Sequence, residues 1–133
     1  MARVRDDPPT ILKPNGDRSW AFDGRLHRDN DLPAVEWADV SRWWYQNDLL
    51  HRDGDLPAVE WANGCRQWYQ NNRQHRDHDL PAVELADGSR QWCQNGLRHC
   101  DQGLPAVIRA NGTQNGGLMW CVPNDLKINL YYR

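Results

Sequence analysis

The stretch His51-Arg52-Asp53-Gly54-Asp55-Leu56-Pro57-Ala58-Val59-Glu60-Trp61-Ala62, followed by Asn63-Gly64, decides the fold. It stands 24 residues earlier from His27 to Ala38 and 24 later from His75 to Ala86, with a weaker copy from His99 to Ala110. Aligning on Pro57 gives a proline column at Pro9, Pro33, Pro57, Pro81 and Pro105. A second column runs Ile11, Val35, Val59, Val83 and Val107. Turn residues recur at Asn15-Gly16, Asp39-Val40, Asn63-Gly64, Asp87-Gly88 and Asn111-Gly112. Beyond them come Trp20, Trp44, Trp68 and Trp92, then a second turn column at Asp23-Gly24, Asn47-Asp48, Asn71-Asn72 and Asn95-Gly96. Periods of this length mean stacked units, each too small to bury its own apolar face.

Each unit reads as a β-hairpin, because Asn-Gly or Asp-Gly between β-prone runs favours a two-residue type I′ turn. With that turn at Asn63-Gly64, Trp61 faces Arg66 and Val59 faces Trp68. Strand alternation then puts Trp20, Trp37, Trp44, Trp61, Trp68 and Trp92 on one apolar face and Trp43 on the polar one. Arg42 and Arg66 are expected to lie over Trp37 and Trp61, worth roughly 0.5–1 kcal/mol each if exposed. Asp39-Val40 breaks the pattern, since Val resists positive φ, and predicts a strained or longer turn. Leu32, Leu56, Leu80 and Leu104 close the connecting loops and are expected to pack back onto the sheet. The tail Leu126-Lys127-Ile128-Asn129-Leu130-Tyr131-Tyr132 alternates and predicts a capping strand, as repeat arrays require at their ends. The expected architecture is all-β: one elongated, twisted antiparallel sheet of tandem hairpins. It forms a single domain over 1–133, with repeats at about 9–112 and a cap at about 113–133.

The matching run Asn63-Gly64-Cys65-Arg66-Gln67-Trp68-Tyr69-Gln70-Asn71-Asn72-Arg73-Gln74-His75 resembles the MORN repeat family, across residues 9 to 112. Two departures stand out: Arg76 follows His75 where the family has Gly, and Leu80-Pro81-Ala82 replaces a Gly-rich entry. This variant is similar to repeats abundant in marseillevirus-type giant viruses. The resemblance implies non-enzymatic scaffolding, frequent homodimerisation and lipid contacts.

Composition constrains function further. The chain has eight Trp and one Phe, so Trp must supply much of the apolar burial. A net charge of −2 and a pI near 6.2 argue against a nucleic-acid platform. They also disfavour an anionic membrane surface, as does the lack of a polybasic run. The amino end has no apolar stretch of signal type, so an intracellular setting, host cytoplasm or virion, is expected. His27-Arg28-Asp29, His51-Arg52-Asp53 and His75-Arg76-Asp77 mimic a kinase catalytic loop, but no D-F-G or phosphate-cradling loop accompanies them. They are expected to brace turns instead. Equivalent histidines lie two strands apart, roughly 9.5 Å, too far to share a metal. Paired aspartates such as Asp53 and Asp55 supply too few oxygens for calcium. No cofactor, metal site or catalytic residue is expected, and Cys65, Cys93, Cys100 and Cys121 read as free thiols. The tryptophan columns read first as the core; read as a binding platform, they make Trp20, Trp37, Trp44, Trp61, Trp68, Trp92, Arg42 and Arg66 the candidate protein-binding residues. The partners expected are a second copy of the chain and a further protein. The rival reading is a peripheral phospholipid-binding module.

Overall fold

The computed structural model describes residues 7–98 and 106–112. Leu104, Cys100, Cys121 and the expected capping strand at 126–132 lie outside them. Every regular element among the described residues is a two-residue strand. Nine of these form one open antiparallel sheet in the order Ile11–Leu12, Arg18–Ser19, Val35–Glu36, Arg42–Trp43, Val59–Glu60, Arg66–Gln67, Val83–Glu84, Arg90–Gln91 and Val107–Ile108. Four smaller ladders pair Ala21–Phe22 with Arg25–Leu26, Tyr45–Gln46 with Leu49–Leu50, Tyr69–Gln70 with Arg73–Gln74, and Cys93–Gln94 with Leu97–Arg98. Each unit therefore contributes one hairpin to the continuous sheet and one to a row beside it. The tryptophan between the two tethers neighbouring units: the Trp44 N–H donates to the Ala58 carbonyl at 2.8 Å, and the Trp68 N–H to that of Ala82 at 2.8 Å. The side row is stitched likewise, Asn72 N–H to Leu50 carbonyl at 2.8 Å. No helix of the described residues is long and apolar enough to cross a membrane.

The Asn-Gly turn is one residue longer than the type I′ expectation. Glu60 pairs with Arg66 and Val59 with Gln67. The Trp61 N–H donates to the Cys65 carbonyl and the Gly64 N–H to the Trp61 carbonyl, both at 2.9 Å, leaving a three-residue loop, Ala62-Asn63-Gly64. Only Gly64 takes positive φ, +95°. This is a type I turn closed by a bulge residue. Asn63 favours it because its Oδ1 accepts the Cys65 N–H at 3.0 Å, a bond repeated by Asp39 to Ser41 at 2.9 Å and Asp87 to Ser89 at 2.8 Å. The type I′ geometry sits instead at the second turn column, where Asn71 and Asn72 have φ of +50° and +69° and Gln70 pairs directly with Arg73.

One extra residue flips one strand's side chains relative to the other, so the expected single tryptophan face is corrected to two. Trp20, Trp44, Trp68 and Trp92 share a face with Glu36, Glu60 and Glu84. Trp37, Trp61 and Trp43 share the other with Val35, Val59 and Val83. Arg42 and Arg66 oppose glutamates, not Trp37 and Trp61, and ion-pair with Glu60 at 2.9 Å and Glu84 at 2.7 Å. Their guanidiniums lie 5.9 Å from the rings of Trp44 and Trp68. The loop leucines give little cover, since Leu56 and Leu80 stay 39% and 36% exposed.

The turn at Asp39-Val40 keeps the length of its neighbours and is strained. Val40 sits at φ +70° and is 72% exposed. Every other non-glycine residue at positive φ among the described residues is Asn, Asp or His, types that tolerate that region.

Candidate aromatic groove

The face carrying the glutamates is consumed by the fold. Trp20, Trp44 and Trp68 are buried beside Ala34, Ala58 and Ala82. Their indole N–H groups donate to the carbonyls of Asp7 at 3.2 Å, Asp31 at 3.0 Å and Asp55 at 3.1 Å. Arg28, Arg52 and Arg76, the middle residues of the His-Arg-Asp runs, stack on Trp20, Trp44 and Trp68 at 3.6, 3.7 and 3.8 Å. Arg52 also grips Asp31 through two parallel bonds of 2.7 and 3.0 Å and donates to the Pro57 carbonyl at 3.0 Å. It reaches Glu60 at 3.5 Å. Arg76 repeats the set on Asp55, Pro81 and Glu84, and that contact holds the Asp55 carboxyl below its ordinary range. The Asn71 N–H donates to His51 Nδ1 at 3.1 Å, so the proton rests on Nε2, which donates to Asp53 at 2.9 Å. His27 and His75 do the same for the turns at Asn47 and Asn95. The run is thus a structural device: His holds the next turn, Arg caps a tryptophan, Asp orients His. Trp92, half-buried, keeps its bond to the Asp79 carbonyl at 2.9 Å. Among the described residues no group of His, Cys, Asp and Glu is arranged to hold a metal.

The opposite face presents something different. Trp37 and Trp43 pack edge to face with ring centroids 5.4 Å apart, and Trp43 and Trp61 likewise at 5.3 Å. Tyr45 stands 6.4 Å from Trp43, and burial pushes its hydroxyl pKa up. The three indoles line an open groove of about 480 Å³ with Ala38, Ser41, Asn15 and the carboxylates of Asp17 and Asp39. The indole N–H groups of Trp37 and Trp43 are buried without a hydrogen-bond acceptor. Trp61 remains 39% exposed. The Asp17 carboxyl is held below its ordinary range by the Ala38 N–H, which donates at 2.8 Å, then by Asn15 and by Lys13.

Of the residues expected to bind, Trp37 and Trp61 meet in the groove. Trp20, Trp44 and Trp68 are core, and Arg42 and Arg66 belong to the ion-pair ladder on the far face. Sequence reasoning missed Trp43. Its signal was available: the equivalent positions hold Ser19, Gln67 and Gln91, so Trp43 breaks the repeat. The fold and groove define a tandem β-hairpin repeat protein with an aromatic depression on one face. No protein-family model matches the chain, and no curated protein does.

Proposed function

We propose that the chain is a non-enzymatic, MORN-like hairpin-repeat scaffold that binds protein, itself included. By the likeness of its repeats to those of marseillevirus-type genomes, we assign it a structural or virion-associated role. One observation carries the binding reading: a part-exposed cluster of Trp37, Trp43 and Trp61 around an open groove. Aromatic residues are enriched at protein interfaces, where their area anchors a partner at low entropic cost. Self-association has a second source in the sheet edge at Ile11–Leu12, whose side chains are exposed and which, among the described residues, pairs on one side only. Light scattering on the full chain tests self-association. A dimer at micromolar concentration is the expected result, and a monomer at that concentration overturns it.

A further inference from the structure

We propose that the groove formed by Trp37, Trp43 and Trp61 receives a basic segment of a partner protein, a lysine side chain entering between the indoles and the carboxylates of Asp17 and Asp39. This deepens the scaffold reading and rests on it. Three observations converge on the groove. The first is charge. The groove's lining contains two carboxylates and no Lys or Arg; Lys13 lies close enough to Asp17 to act on it but does not line the groove. Asp17 stays ionised because a backbone N–H and Asn15 stabilise its charged form. A phosphate-bearing ligand would meet these acids as like charges.

The second observation is the wall. Three electron-rich rings beside acids form a surface suited to a cation, which is attracted to ring faces by about 0.5–1 kcal/mol when exposed and about 2 when desolvated. A volume of about 480 Å³ falls in the ordinary range for ligand sites, roughly 300–1,000 Å³. It accommodates one long side chain and the adjoining backbone.

The third observation is where the repeat breaks. Two departures of the unit that carries Trp37 and Trp43 bear on the groove. Trp43 stands where the other units have Ser19, Gln67 and Gln91, and Val40 stands at φ +70° where they have Gly16, Gly64, Gly88 and Gly112. The ladder forms without either departure: Ser19, Gln67 and Gln91 pair in the same register where Trp43 stands, and glycine serves the turn where Val40 stands. A repeat copies what folding needs, so an exception that puts an aromatic ring on an open face and strains the adjacent turn marks a local task.

The test uses the full chain labelled with ¹⁵N and a peptide of alternating Lys and Gly, with an alternating Glu and Gly peptide as its control. The indole N–H signals of Trp37 and Trp43 should shift saturably with the lysine peptide. Those of Trp20, Trp44 and Trp68, bonded to backbone carbonyls, should stay. Trp43→Gln restores the residue the neighbouring units carry and so keeps the fold; it should weaken binding by about tenfold or more, as loss of an anchoring aromatic does. Asp39→Asn retains the acceptor the turn needs, as Asn63 shows, and should weaken binding while steepening nothing in the salt response. Added salt should weaken the wild type. Equal shifts with the glutamate peptide, undiminished binding by both variants, or unmoved Trp37 and Trp43 signals would each overturn the proposal. A dimer that ignores the lysine peptide leaves self-association standing and removes the groove's ligand; a monomer that binds the peptide removes self-association and leaves the groove's ligand standing.

Discussion

Val40→Gly should stabilise the protein, and the size of the gain follows from the turn. Val40 occupies the left-handed region at φ +70°, where Gly16, Gly64, Gly88 and Gly112 stand in the equivalent turns at +87° to +100°. An L-residue there costs roughly 1–2 kcal/mol, and a β-branched one belongs at the upper end. Against this, glycine loses about 0.5–1 kcal/mol more in backbone entropy on folding. The side chain removed is 72% exposed, so little apolar burial is lost. The turn's bonds do not depend on it: Asp39 Oδ1 accepts from Ser41, and the Trp37 N–H reaches the Ser41 carbonyl at 2.9 Å. The net gain is about 1 kcal/mol. With a urea slope of about 1–3 kcal/mol/M, the midpoint should rise by roughly 0.3–1 M. Gly64→Val supplies the mirror experiment. A Cβ at Gly64 would meet nothing within 4 Å, so the chief penalty is conformational, and the midpoint should fall by a similar amount. A Val40→Gly midpoint that stays put or falls while Gly64→Val behaves as stated would refute the reasoning, because Val40 would then be contributing contacts that outweigh its strain.

Arg52→Lys should cost about 2–3 kcal/mol in chemical denaturation, since an ammonium cannot keep both the stack on Trp44 and the parallel bonds to Asp31; a loss near zero would make the cap ornamental. Trp68→Ala should cost about 3–5 kcal/mol and Trp61→Ala far less, because the first is core and the second part-exposed; equal midpoints would show that the two faces are misassigned. Asp55 has a carboxyl pKa lowered chiefly by its hydrogen bond to Arg76, so its contribution is full above the unfolded carboxylate range and disappears as pH falls through the folded value. The stability gap between wild type and Asp55→Asn, read from urea midpoints across an acid series, should therefore narrow toward low pH; a gap that widens there contradicts the ion pair. Cys65→Ser should leave stability unchanged or raise it by a few tenths of a kcal/mol, because the Ala86 N–H now donates to a sulfur at 3.2 Å where Ser41 and Ser89 offer hydroxyls to Ala62 and Ala110 at 2.9 Å.

The repeat, the hairpins and the strained Val40 were all legible in the sequence because each rests on local chemistry: a 24-residue period, turn residues, a β-branched side chain where glycine recurs. Register was not. Asn-Gly serves a two-residue type I′ turn and, with an Asx bond, a three-residue bulged turn. The choice here depends on the Asn63 side chain reaching the Cys65 N–H at 3.0 Å, which no spacing reveals. That single residue decides which tryptophans meet. Counted one way, six indoles share a face and Trp43 is stranded; counted the other, Trp43 joins Trp37 and Trp61, and Arg52 finds Trp44. The caps on Trp20, Trp44 and Trp68 were hidden for a related reason. Each arginine lies in a connecting loop eight residues past its ring, a separation set by how the second hairpin returns the chain. The groove residue itself was visible only as an exception. Repetition identifies what every unit shares, and Trp43 is informative because it is not shared: a ring on the open face, beside the turn that Val40 strains.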